Sequence, residues 1–329
     1  MLAGTATLFV AAHAFTQPAI PPKTPAQPAT GSASAVQIIP VSLSNDTVAA
    51  TVNGEKITVG EVKKILEQRP YPLTLNDEQK KQLRHAALDV LVEDVIMRQY
   101  LGKHVPKVNQ ADFNKEVQDL TDALKKQNKT IETFLKESGQ TQEQLSRDIV
   151  ARLQWKTLLQ AFLPDDKAKT YYTENKLFFD KVFVRASHIL IKLDAKTTKE
   201  QRDKTEQVLL LWRKEILDGK VKFEEVAKKM SDCPSRDKGG DIGQFPYKFV
   251  VLPEFAKVAY SMKPGEISGV VQTTAGLHLI YVTERTAPEA SNFETLKDTV
   301  REVWAQDEDL YQRVLADQRK KGEVKVSLP

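Results

Sequence analysis

Val182-Phe183-Val184-Arg185-Ala186-Ser187-His188-Ile189-Leu190-Ile191-Lys192-Leu193 is an apolar run interrupted at its centre by a serine and a histidine. It is rich in β-branched residues, and its length suits a strand. Side chains alternate across a strand, so His188 can point to one face while its apolar neighbours point to the other. A second histidine has the same setting: His278 lies inside Gly276-Leu277-His278-Leu279-Ile280. Strands from opposite ends of a domain can lie side by side in an antiparallel sheet, which would bring the two imidazoles together.

Between these strands the pattern is mixed. Helices are expected around 199–217 and 222–230. A loop rich in Gly, Ser and Asp runs from Ser231 to Gly243 and carries the single cysteine, Cys233. A helix near Pro253–Tyr260 follows, then a turn at Lys263-Pro264-Gly265-Glu266. Strands are expected over Ile267–Gln272 and Gly276–Thr283. Strands at both ends with helices between make this region α+β.

Outward toward the N-terminus the texture is helical. Val48–Val52 and Lys56–Thr58 read as strands around Asn53-Gly54, a strong hairpin signal. Thr58-Val59-Gly60-Glu61 has capping-box spacing, and the helix it opens should stop before Pro70 and Pro72. Asn76 caps a long helix with Leu83, Ala87, Val90, Leu91, Val95 and Met97 at apolar positions. Further helices follow Asn109, Thr130 and Thr141, and another opens at Asp165-Asp166 and runs through Phe178. Beyond the α+β region, one helix is expected over Phe293 to about Lys320, with a last short strand at Val324–Val326.

The first fifteen residues are mostly apolar and small, carry no Asp, Glu, Lys or Arg and end near Ala12-His13-Ala14. They are too short to span a bilayer and resemble a signal or anchor segment. Thr16 to about Ser44, with Pro21, Pro22, Pro25 and Pro28, cannot bury enough apolar surface to fold and reads as an extended linker. The expected organisation is a signal or anchor segment over 1–15, a linker over 16–45, a helical domain over 46–180, an α+β domain over 181–287, and a C-terminal helix and strand over 288–329. In bulk, 41% hydrophobic and 28% charged residues suit a soluble globular chain. A net charge of +4 with cations dispersed among acids gives no case for nucleic-acid binding. One cysteine excludes an internal disulfide and a multi-cysteine zinc site.

Taken singly, a strand histidine or a lone cysteine is more often structural than catalytic. The order of motifs changes that balance. Arg185–Lys192, Phe223-Glu-Glu-Val-Ala-Lys-Lys-Met-Ser231, Cys233-Pro-Ser235, Gly239-Gly-Asp-Ile-Gly243 and Val271-Gln-Thr-Thr-Ala-Gly-Leu-His278 follow one another as in parvulin-type prolyl isomerases. The resemblance covers about 182–286. Ala50–Thr58 resembles the opening of the helical chaperone domain of SurA/PrsA-type extracytoplasmic foldases, in which a C-terminal segment returns to complete that domain.

This resemblance implies a four-stranded antiparallel sheet with surrounding helices, joined to a mainly helical chaperone domain. It implies a prolyl cis/trans isomerase and folding chaperone for unfolded or Pro-containing exported polypeptides. Such a protein would be extracytoplasmic, in a periplasm or tethered to a membrane through its N-terminus. His188 and His278 match the family's paired histidines, Thr273 a hydroxyl residue bonded to them, and Cys233 a residue near the substrate carbonyl. Ile242, Phe245, Phe255 and Val251 would form the proline slot, although the Phe245–Phe255 spacing is one residue longer than in close relatives. The reaction breaks no bond, so no metal or other cofactor is expected. Lys192 aligns with a phosphate-binding lysine of the phospho-specific branch, but only Arg202 is present in 194–204 and that specificity is not expected. Two other readings compete: an inactive parvulin-like binding module, and a hydrolase pairing Cys233 with His278.

Overall fold

The computed structural model describes residues 44–67, 75–194 and 196–328. The expected segment over 1–15, nearly all of the linker over 16–45, and Pro70 and Pro72 lie outside the described residues. The chain divides into two compact units, Met1–Asp165 with Arg301–Pro329, and Asp166–Val300.

The first unit opens on a hairpin of β1 (Val48–Val52) and β2 (Glu55–Thr58). Asn53 and Gly54 both have positive φ, 50° and 86°, as a tight two-residue turn between twisted strands requires. The helix α1 (Val59–Glu67) begins where the Thr58 hydroxyl accepts from the Glu61 amide and the Glu61 carboxylate accepts from the Thr58 amide at 2.8 Å. Four helices follow: α2 (Asp77–His104), α3 (Gln110–Lys125), α4 (Ile131–Ser138) and α5 (Gln142–Phe162). Asn76, Asn109, Thr130 and Thr141 each accept from an amide of the first turn, which supplies partners that the helix itself cannot. Leu88, Val92, Val95 and Ile96 of α2 pack with Trp155, Leu158 and Leu159 of α5 and with Ala49, Ala50 and Val52 of β1. A smaller cluster joins Leu120 and Leu124 to Leu145 and Ile149.

The helix expected from Asp165 through Phe178 is two pieces, α6 (Asp165–Glu174) and α7 (Lys176–Phe179). The break is at Asn175, whose side-chain amide donates back to the Tyr171 carbonyl at 2.8 Å. Asparagine competes with helix continuation in this way.

In the second unit β3 (Phe183–Lys192) is followed by α8 (Lys199–Leu217), α9 (Phe223–Met230) and a 3-10 turn at Pro234–Lys238. Then come β4 (Asp241–Pro246), α10 (Pro253–Ser261), β5 (Val271–Thr273) and β6 (Gly276–Arg285). The sheet is antiparallel throughout, in the order β4-β3-β6-β5. One face, with Val184, Ala186, Ile280 and Val282, packs on Phe255, Ala259 and Tyr260 of α10. The other, with Ile189, Leu277 and Leu279, packs on Leu209 of α8 and Phe223, Val226 and Ala227 of α9. Tyr260 is buried, and its hydroxyl reaches the carbonyls of Val182 and Phe245, so α10 grips the start of the first strand and the end of the second. The strand expected over Ile267–Gln272 is shorter and later, because Ile267 makes only an isolated bridge to Tyr281.

The expected C-terminal helix is also divided, into α11 (Phe293–Asp307) and α12 (Leu310–Lys321). Asp309 adopts φ 49°, a left-handed conformation that no helix interior accommodates. Finally β7 (Val324–Val326) pairs with β1, giving the three-stranded order β2-β1-β7.

A cavity of about 160 Å³ in the first unit has Ile57, Ile65, Leu91, Asp94, Arg98 and Asp148 in its wall. Burial, and then the nearby Asp94 carboxylate, push Asp148 up to about 6. Gln140 donates to it at 2.9 Å. A carboxyl group with a raised folded-state pKa stabilises the fold at low pH and loses that contribution as pH rises from about 3.8 to 6. Asp148→Asn mimics the protonated acid. It should stabilise the first unit at pH 7 by about 1–2 kcal/mol, discounted for partial exposure, and leave stability unchanged at pH 3.5. Urea denaturation at the two pH values is the check.

Candidate active site

In the pairing of β3 with β6, His188 lies opposite Ile280 and His278 opposite Leu190. The histidines are therefore diagonal neighbours on one face, close enough for their rings to meet. The rings are nearly parallel, with centroids 5.4 Å apart and an interplanar angle of 22°. Their Nδ1 atoms are 3.3 Å apart. His278 Nε2 lies 2.8 Å from Thr273 Oγ1, at the end of β5, and that oxygen also accepts from the Ala275 amide at 3.1 Å.

Both rings are buried, at 7% and 3% exposure. Burial lowers His188 to about 4. Burial, and secondarily His188, lower His278 to about 4. At neutral pH each ring is thus uncharged and carries one proton, so only one of the facing Nδ1 atoms can donate. Two proton arrangements are self-consistent. Thr273 donates to His278, which donates to His188, leaving His188 Nε2 as a donor; or every bond is reversed, leaving that nitrogen as an acceptor. In either case His188 Nε2 is the open end of the chain. It is buried and makes no hydrogen bond within the protein.

Phe255 of α10 lies across both imidazoles, with centroid distances of 5.6 Å to each at 80°. Phe245 meets Phe255 edge-on at 5.9 Å. Both rings are buried, at 1% and 3% exposure. Ile242 and Val251 are half-buried against the same cluster. The apolar residues singled out in the sequence therefore share the histidine face of the sheet.

Cys233 is half-buried where the 3-10 turn begins. Its loop is held along β3. Leu190 donates to Ser231 Oγ at 3.1 Å, the Asp232 amide donates to the Leu190 carbonyl at 2.8 Å, and Lys192 donates to the Asp232 carboxylate at 2.9 Å. Further along, the His188 amide donates to the Gly240 carbonyl at 3.0 Å. Gly240 has φ 87°, and a Cβ there would collide with the His188 carbonyl oxygen. The glycine therefore lets the cysteine loop approach the histidine strand. Ser231, Asp232 and Gly240 are not among the expected site residues, although Ser231 and Gly240 lie within motifs that carry the resemblance. The alternative pairing of Cys233 with His278 has no free base, since both nitrogens of His278 are engaged.

Residues 188–284 match the Rotamase family, described as a PPIC-type PPIASE domain. A foldase protein PrsA of Caldanaerobacter subterraneus subsp. tengcongensis is 30% identical over 251 residues, covering 73% of this chain and 74% of its own. A foldase protein PrsA of Clostridium botulinum is 26% identical over 323 residues, covering 88% and 91% respectively. Among solved structures, the peptidylprolyl isomerase PrsA of Bacillus anthracis is 26% identical and covers 70% of this chain and 96% of its own, with a TM-score of 0.40.

The lowered histidines set a pH window. A base whose folded pKa is depressed contributes stability that is complete above its unfolded pKa of about 6.5 and is lost as pH falls toward about 4. The second unit should lose on the order of 2 kcal/mol per ring across that interval. Replacing His278 by Gln should flatten the profile. Urea midpoints measured from pH 7 to 4.5 on both proteins test this.

Proposed function

The chain belongs to the PrsA foldase family, and we propose that its isomerase chemistry is carried by His188, His278, Thr273 and Cys233 beside a proline slot walled by Ile242, Phe245, Phe255 and Val251. It is a peptidyl-prolyl cis/trans isomerase and folding chaperone that acts on polypeptide clients.

An X-Pro bond favours trans by only about 0.5–1 kcal/mol, but rotation about a peptide bond faces a barrier of roughly 18–20 kcal/mol from amide resonance. Catalysis must bind the twisted amide better than either planar form. Twisting removes the charge separation of the conjugated amide, which water favours. An apolar wall that grips the pyrrolidine ring and displaces water therefore works in the right direction. A polar group held near the amide can then follow the change at nitrogen or oxygen. The observation that carries this assignment is the uncharged His188–His278–Thr273 chain under Phe255, with His188 Nε2 as its unpaired end. Cys233, on the loop tied to the same strand, would tune the carbonyl surroundings without forming an adduct.

The division of labour we propose assigns isomerisation to 181–287 and client holding to the helical segments on either side. The uncharged, small-residue start of the chain supports work outside the cytoplasm, in a periplasm or tethered at a membrane. Among the described residues no helix is long and apolar enough to cross a membrane.

A protease-coupled prolyl isomerisation assay on the full chain tests the site. His278→Ala and Phe255→Ala should each lower kcat/KM by about tenfold or more, the equivalent of one lost hydrogen bond to the chain or one lost apolar wall. Cys233→Ala should give a smaller loss, and Cys233→Ser should recover part of it. Folded variants that retain full activity would remove these residues from the site, and an inactive wild-type chain would favour the binding-module reading.

A further inference from the structure

Between β4 and α10, the segment Tyr247–Leu252 runs against what its surroundings would select. Phe249 has φ 70°, a left-handed conformation that bulky residues rarely adopt. Its side chain is not buried in return: Phe249 is 45% exposed, Val250 64% and Leu252 36%. Within this run Val251 turns inward, onto the cluster that contains Phe255. Glycine or asparagine would take the same backbone with less strain, and a polar residue would suit the solvent better.

The segment is also anchored. The Phe249 ring meets Phe178 of α7 edge-on, at 5.9 Å and 90°. The Lys248 ammonium lies over the Tyr171 ring of α6 at 5.3 Å. The exposed apolar surface is thus held in place by aromatic residues of α6 and α7, and the neighbouring cation is turned toward rings. Strain that the surroundings hold in place is a feature of ligand-contacting segments.

We propose that Phe249, Val250 and Leu252 form an accessory subsite of the isomerase, which takes a large aliphatic or aromatic side chain of the client. That side chain lies on the same extended segment as the proline but outside the proline slot. The inference rests on Val251 and Phe255 being slot wall. Val251 is flanked in the chain by Val250 and Leu252, so the exposed side chains adjoin the slot wall. The occupant is apolar because the three side chains offer no hydrogen-bonding or charged group. The consequence is selectivity for state over sequence. Folded proteins bury large apolar side chains, whereas non-native chains present them next to prolines. Two-point recognition would direct turnover to the latter.

The test uses the full-length protein and fluorescent peptides with one proline in an alanine-rich background. A single leucine is placed one, two or three residues from the proline, on either side. Affinity is read by anisotropy and turnover by the protease-coupled assay. The wild-type chain should bind at least one leucine peptide about tenfold more tightly than the all-alanine peptide, as expected for burying one apolar side chain. Phe249→Gly should erase that contrast while melting at the same temperature as wild type or higher, because glycine relieves the strained backbone. Val250→Ser, which leaves the backbone alone, should reduce it as well. Equal affinity of the wild-type chain for every peptide, or an undiminished contrast in folded Phe249→Gly, overturns the subsite. A preserved contrast with no turnover on any peptide would instead overturn the isomerase reading and leave the subsite standing.

Discussion

The antiparallel pairing of β3 with β6 is the constraint on which the second unit depends. It joins residues about ninety positions apart and runs from Val184 opposite Arg285 to Lys192 opposite Gly276. That register places His188 and His278 on the same face, and a slip of one residue would send one of them to the face of α8 and α9. The same pairing gives both helical layers their apolar surfaces, with Ala186 and Ile280 on one side and Ile189 and Leu279 on the other. Each ring then needs a partner for its buried nitrogens, and the two rings with Thr273 satisfy all but one of them. The site is thus the polar interruption that an otherwise apolar sheet face tolerates, because the interruption is nearly self-satisfied.

Much of this was legible in sequence, for identifiable reasons. Period-two alternation around His188 and His278 gave their faces, and cap residues such as Asn76, Thr130 and Thr141 gave the helix starts within a residue. Alternation does not give register or the irregularities within it. The shift between Arg185 and Ala186, where the pairing moves by one residue, has no sequence signature. The edge strand Asp241–Pro246 begins inside Ser231–Gly243, which the sequence marks as a loop rich in Gly, Ser and Asp. Its Gly243 and Pro246 are poor strand residues, and it forms because the open edge of β3 supplies partners. The break at Asp309 is hidden because no glycine or proline marks it.

The topology places the second unit as an insertion within the first. Residues Asp166–Val300 leave and return between Asp165 and Arg301, and these two residues form an ion pair, with Arg301 also donating to the Leu163 carbonyl at 3.0 Å. Closing so long an insertion costs entropy, but the dependence on length is logarithmic, only about 0.6 kcal/mol for each doubling of a flexible loop. A folded insertion whose ends are already fixed avoids part of that cost. The first unit then gains its last pieces only after the second has been synthesised. Trp155 of α5 meets Tyr311 of α12 at 5.9 Å, and β7 completes the sheet on β1. Its stability accordingly depends on contacts that span almost the whole described chain.

The charge state of the two histidines ties this architecture to the chemistry. A catalyst that moves protons needs groups that change charge near working pH, and this pair is built against that: two imidazoles side by side in an apolar setting cannot both ionise, and burial discourages either from doing so. For rotation about an amide this is an advantage. The substrate loses and gains no proton, its charge separation diminishes as it twists, and a charged neighbour would favour the planar, more polar form. The chain is neutral in either arrangement, presenting a donor or an acceptor at His188 Nε2, and passing between the two requires one proton to leave that nitrogen and another to reach Thr273.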